Sequence, residues 1–119
     1  MILVDTSVWI DHFRHGVPEL VAILGRGEVV VHPFVIGELA CGNLSSREAT
    51  LELMQQLRSI AVADHDEVMG FIRARKLYGR GIGHVDAHLL AAAAIDRCQL
   101  WTRDGRLREL ASGLDLAAT

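Results

Sequence analysis

Apolar residues enter this chain in short blocks separated by amphipathic stretches. Ile2-Leu3-Val4 is the first block and reads as a short buried strand. Thr6 or Ser7 then stands where it can cap a helix carrying Val8, Trp9, Ile10 and Phe13. Pro18 opens a short helix through Leu24, and Gly25 suits its end. Glu28-Val29-Val30-Val31 is a β-branched run that fits a covered strand. Pro33 begins a helix, roughly Phe34 to Cys41. Ser45 and Glu48 have capping-box spacing, which predicts a helix from about Ser46 to Leu57. Ile60 to Ala63 is the third predicted strand. Asp64 and Glu67 repeat the cap-plus-acid pattern before a helix marked by Val68, Phe71, Ile72 and Leu77. Beyond Gly79, Gly81 and Gly83 comes the most apolar helix, about His84 to Asp96, containing LLAAAAI. Leu100-Trp101-Thr102 is the fourth strand, Arg106 to Ala111 the last helix, and Leu114-Asp115-Leu116 a candidate edge strand.

Strands alternating with helices predict an α/β fold: a three-layer α/β/α sandwich around a central, mainly parallel sheet of four to five strands. A chain of 119 residues suits one domain, 1–119, and its 50% hydrophobic content supports a core without disulfide or metal staples. No apolar run approaches the ~18 residues that cross a bilayer. Asp5 interrupts the leading apolar stretch and no basic segment precedes it, so no secretory signal is expected and the chain reads as cytoplasmic. Cys41 and Cys98 fall in apolar helical segments and read as reduced core residues. The net charge of −3 argues against blanket electrostatic binding to nucleic acid but not against a local basic surface. Lys76 is the only lysine among twelve basic residues. Arg73, Arg75, Lys76 and Arg80 cluster before the glycine loop, and Arg103, Arg106 and Arg108 form a second group. Both groups fit solvated helix faces or phosphate contacts.

Four acids stand in awkward places. Asp5 ends the first strand, and Asp104 lies two residues past the fourth. Ligands of parallel sheets bind beyond the carboxyl ends of the strands, so both acids belong on the functional edge. Each also has a structural role open to it, Asp5 as a helix cap and Asp104 in a turn with Gly105. Glu38 is the only charge in PFVIGELACG, and Asp86 the only one in GHVDAHLLAAAAI. Neither has a Lys or Arg three or four residues away, and an unpaired buried carboxylate costs several kcal/mol. For Glu38 a narrow polar stripe, and for Asp86 a favourable place in the first helical turn, are the plainer explanations. Converging carboxylates would repel and need a cation, and oxygen donors select Mg²⁺ or Mn²⁺. Thr6 and Thr102 each neighbour one of these acids and could orient a carboxylate, or serve simply as cap and strand residue. His84 and His88 flank Asp86 without an HExxH pattern, and read as surface or substrate-contact residues.

With these stretches in hand, the sequence resembles the PIN-domain ribonucleases, and within them the VapC-type toxins of type II toxin–antitoxin modules. ILVDTSVWID, VIGELACG, IGHVDAHLLAAA and LWTRDGRL carry the resemblance in order and spacing over nearly the whole chain. It implies that Asp5, Glu38, Asp86 and Asp104 form the acidic metal-binding set, with Thr102 as the accompanying hydroxyl. It also implies Mg²⁺- or Mn²⁺-dependent endonucleolytic cleavage of RNA. The expected partners are a cognate antitoxin, a second copy of the chain, and operator DNA through the antitoxin only. On this reading Asp5, Asp86 and Asp104 hold one or two cations, Glu38 acts through water, and hydrolysis leaves a 5′-phosphate and a 3′-hydroxyl. Arg73, Arg75, Arg80, Arg103 and Arg106 are candidates for RNA phosphates, and Trp9 for either core or base stacking. Two other classes compete. A phospho-accepting receiver would want a lysine at a late strand end, whereas Lys76 falls in a predicted helix. A non-enzymatic interaction module would fit the apolar helices, but it leaves Glu38 and Asp86 without a reason. Within the nuclease reading, the alternative is a stand-alone PIN nuclease in RNA processing.

Overall fold

The apolar blocks from the two ends of the chain meet in the middle of one sheet. The computed structural model describes residues 1–118. Its elements are β1 (Ile2–Val4), α1 (Thr6–His15), α2 (Pro18–Gly25), β2 (Val29–Val31), α3 (Pro33–Cys41), α4 (Arg47–Gln55), β3 (Arg58–Ser59), α5 (His65–Arg75), α6 (His84–Asp96), β4 (Gln99–Trp101) and α7 (Gly105–Gly113). The sheet order is β3-β2-β1-β4, and every pairing is parallel. Leu3 stands between Val30 and Leu100 in register. All three are buried, as expected of a parallel sheet covered on both faces.

From β1 the chain steps to β2 and then β3 in one direction, then returns through α5 and α6 to place β4 on the other side of β1. Right-handed crossovers running in opposite directions put their helices on opposite faces, which makes the α/β/α sandwich. The reversal falls between β1 and β4, and such a switch point opens a crevice at the carboxyl ends of its strands. α6 brings an unbroken buried run to the core: its residues from Ala87 to Ala93, His88 among them, are all buried, so this part of the helix is enclosed around its girth.

The predicted helices and strands are present, with informative shifts. α6 has the predicted bounds, and the Asp64–Glu67 capping box forms with both reciprocal hydrogen bonds, 2.8 and 2.9 Å. The Ser45–Glu48 box does not form. Ser46 is the N-cap in a left-handed conformation (φ 49°), without a side-chain cap bond. β3 lies at Arg58–Ser59, before the predicted Ile60–Ala63, because an exposed edge strand needs no apolar signature. Ile60 still donates to the Val31 carbonyl at 2.8 Å. β4 begins one residue early, which leaves Thr102 just past its end. The candidate edge strand reduces to a parallel bridge between Leu100 and Ala117. Lys76 is not inside a helix but is the left-handed C-cap of α5, and Leu77 packs in the core beyond it. Both cysteines are free; Cys98 is buried as expected, whereas Cys41 is exposed. Among the described residues no helix is long and apolar enough to cross a membrane.

Candidate active site

Asp5 is the first residue past β1 and occupies the N-cap position of α1, yet it makes no side-chain cap bond. Its Oδ2 instead accepts hydrogen bonds from Ser7 Oγ at 2.8 Å and Thr102 Oγ1 at 2.7 Å. Ser7 Oγ also accepts from the Arg103 amide at 3.0 Å, and Thr102 Oγ1 accepts from the Asp104 amide at 3.1 Å. Two hydroxyls and two loop amides therefore tie the end of β1 to the end of β4, across the switch point. The capping role open to Asp5 is overturned, and neither Thr6 nor Ser7 is the N-cap, because the helix already begins at Thr6. Thr6 points elsewhere: its Oγ1 donates to Glu38 Oε1 on α3 at 2.7 Å.

The other two acids do serve their helices. Asp104 is the N-cap of α7, with Oδ1 accepting from the Arg106 and Leu107 amides at 3.0 and 3.1 Å. Asp86 lies in the first turn of α6, where Oδ2 accepts from the Gly83 amide at 3.3 Å. Burial pushes its carboxyl above the usual carboxylate range; the Gly83 hydrogen bond opposes the rise, and the charges of Asp5, Asp104 and Glu38 add to it. All four acids thus act on one region. Burial does not single out Glu38, as the apolarity of α3 suggested, because its side chain is exposed.

One pattern unites the set. Each carboxylate commits a single oxygen to protein donors: Oδ2 of Asp5 and Asp86, Oδ1 of Asp104, Oε1 of Glu38. The second oxygen of each accepts no hydrogen bond among the described residues. None of the four forms an ion pair with a described residue either; the ion pairs present involve Glu28, Glu48 and Asp11. A shared external cation would relieve the charge effects that Asp5, Asp104 and Glu38 exert on Asp86. The donor set, all oxygen, fits a hard divalent cation in chemistry and charge. As placed, the side chains are not drawn into a closed array: no three acidic, histidine or cysteine side chains among the described residues stand together as metal ligands.

Ser7 is the residue that reading by sequence assigned only to capping. Its signal is its place two residues after an acid, a spacing at which a hydroxyl reaches back to its neighbour. His88 is not a surface residue. It is buried, and its ring lies against Phe34 at 4.8 Å, His84 at 4.6 Å and His32 at 6.3 Å. Trp9 is core. Among the candidate phosphate contacts, Arg103 pairs with Asp11 at 3.2 Å and Arg75 lies over the Phe71 ring at 5.9 Å. Arg106 crosses the glycine loop at Gly81, where φ is +81° and a Cβ would come within 2.9 Å of Arg106 Cδ. Arg73 and Arg80 are exposed.

The PIN-domain family model matches residues 2–113. The chain belongs to the PIN-domain family. Two relatives carry the name Ribonuclease VapC32, from Mycobacterium tuberculosis strains CDC 1551 / Oshkosh and ATCC 25618 / H37Rv. Each is 48% identical over 120 residues, covering 98% of this chain and 97% of the relative. The resemblance to VapC-type PIN domains therefore holds across the chain. A solved structure titled "Structure of FitAB bound to IR36 DNA fragment" superposes with a TM-score of 0.64 at 23% identity, covering 100% of this chain and 94% of the other. At that identity the likeness speaks for the PIN fold alone.

Proposed function

We propose that this PIN domain is a divalent-metal-dependent endoribonuclease, the toxin of a toxin–antitoxin pair that inhibits translation and growth when free of its antitoxin. The observation that carries the reading is the set of four carboxylates, each with one oxygen uncommitted and none paired with a cation. The name of the 48% identical relatives supports the substrate class. Asp5, Asp86 and Asp104, with Glu38 directly or through water, would hold Mg²⁺ or Mn²⁺. Such a cation supplies neutralisation of the scissile phosphate and activation of water for in-line hydrolysis, leaving a 5′-phosphate and a 3′-hydroxyl.

The chain's own residues do the positioning. Ser7 and Thr102 fix Asp5 through Oδ2, so that Oδ1 is the oxygen available. Thr6 does the same for Glu38, and the first amides of α7 for Asp104. Exposed Arg73, Arg80 and Arg106 suit RNA phosphates. The same reading has the chain work in the cytoplasm as a homodimer, held inactive by its antitoxin and reaching operator DNA only through it.

An RNA-cleavage assay of the native chain, Asp5→Asn and Asp104→Asn, with Mg²⁺, Mn²⁺ or chelator, tests the reading. Cleavage should need the cation and fall about a hundredfold or more in the folded variants. Undiminished cleavage in chelator, or by folded variants, would overturn it.

A further inference from the structure

Beside the acids lies a cavity of about 320 Å³, walled by the second half of α1, by α3 and by the loop that leads into α4. Glu38 lines it, so one wall belongs to the acid cluster itself. Ile10, Phe13 and Leu39 supply apolar surface, and Arg14 and Asn43 bring polar groups to the same space. The volume falls near the lower end of the range for small-ligand sites, ~300–1,000 Å³, which suits one planar ring system better than a helix or a long side-chain train.

Resting on the ribonuclease reading, we propose that this cavity receives one unpaired base of the RNA substrate, next to the scissile phosphate. Three features match that ligand. Phe13 is 40% exposed, and its ring is already stacked on Trp9, with centroids 5.9 Å apart and planes at 26°. A base added to this pair extends an aromatic stack, the usual way proteins hold single-stranded RNA. Asn43 is exposed on the loop and offers a donor and an acceptor on one amide, which can read a base edge. The Arg14 guanidinium is exposed, forms no ion pair among the described residues, and stands on the next residue of α1, where it can meet the adjoining phosphate or a base face.

A neighbouring groove sharpens the choice of occupant. It runs along Trp9, Leu24, Leu53, Met54 and Leu57, without an acid or an arginine, and shares only the Phe13 wall with the cavity. Apolar protein surface matches that groove, whereas the cavity beside Glu38 offers polar recognition within reach of the acid site.

The test compares native chain, Asn43→Ala and Phe13→Ala in Mn²⁺, on short single-stranded RNAs that differ by one base or carry one abasic position near the cut. In the native chain a single abasic position should lower kcat/KM roughly five- to tenfold. Asn43→Ala, on an exposed loop, should flatten the base preference at that position and raise KM with kcat little changed. Phe13→Ala, with its folding checked by circular dichroism, should erase the abasic penalty. Equal sensitivity of all three proteins at every position would overturn the base site and leave the cavity to a protein partner. Failure of the native chain to cleave any RNA would overturn the ribonuclease reading and the base site with it.

Discussion

Asp5 and His32 hold equivalent places in the fold. Each is the residue immediately past a central strand, each occupies the N-cap position of the next helix, and each is buried, 6% and 0% exposed. They resolve that position in opposite ways. His32 caps its own helix, with Nδ1 accepting from the Phe34 amide at 3.0 Å. Its remaining hydrogen, on Nε2, finds no acceptor among the described residues, and Nδ1 of the adjoining His88 is also unpartnered. Burial and the nearby His88 push the His32 ring down to about 4, and burial together with His84 and His65 lowers His88. Asp5 declines the helix and takes its donors from Ser7 and from Thr102, the latter 97 residues away. One strand end thus closes into a cluster of buried rings, and the other stays open with an uncommitted oxygen. The difference separates a strand end that caps its own helix from one that keeps a carboxylate oxygen uncommitted.

Substitutions at the two strand ends should therefore fail differently. The largest effect is expected at the open end: Asp5→Asn should remove RNA cleavage by about a hundredfold or more while the thermal midpoint holds or rises, because a buried carboxylate among other acids is relieved. Loss of activity together with loss of folding would erase the distinction. At the closed end the effect is on stability and depends on pH. Between pH 6.5 and about 4 the unfolded chain binds a proton that the folded His32 does not. Stability is fully present above that window and is lost as pH falls through it, by about 3 kcal/mol at roughly 1.4 kcal/mol per pH unit. His88, lowered in the same direction, adds to the loss. Urea melts across this range should show the slope, and His32→Asn, which retains a capping acceptor, should reduce it.

Ser7→Ala sharpens the contrast within the open end. It leaves Asp5 with one hydroxyl donor and frees the Arg103 amide, and should weaken Mn²⁺ binding or activity roughly ten- to a hundredfold. Ser7→Thr should recover part of the loss. In a cycle with Thr102→Ala the two losses should not add, since both hydroxyls act on Oδ2. The smallest change is Gly81→Ala, expected to cost about 1–2 kcal/mol from the left-handed backbone and to displace Arg106, readable as a lower melting midpoint.

What the sequence disclosed follows from the range of each interaction. Local signals were legible: the Asp64–Glu67 box, the bounds of α6 and the apolar strands at the sheet centre all depend on neighbours a few residues apart. So was the place of Asp5 and Asp104 beyond the strand ends, because short apolar runs mark where β1 and β4 stop. Roles set by distant partners were not. Thr6 and Ser7 are adjacent hydroxyls with identical local prospects, yet one meets Glu38 and the other the Asp5–Thr102 pair. Only the packing of α3 and β4 against α1 separates them. Glu38 was singled out by a burial it does not have, and joins the acids through Thr6 and through its effect on Asp86. β3 was displaced because Arg58 and Ser59 are both exposed, so no hydropathy pattern marks them.

The proposed function requires the open strand end to be a divalent-cation site assembled from the four acids. A calorimetric titration of Mn²⁺ into the native chain and into folded Asp5→Asn tests it without recourse to any RNA. Saturable binding to the native chain and at least a tenfold weaker association with the variant are expected. Equal binding by the two proteins, or none by the native chain, would contradict it.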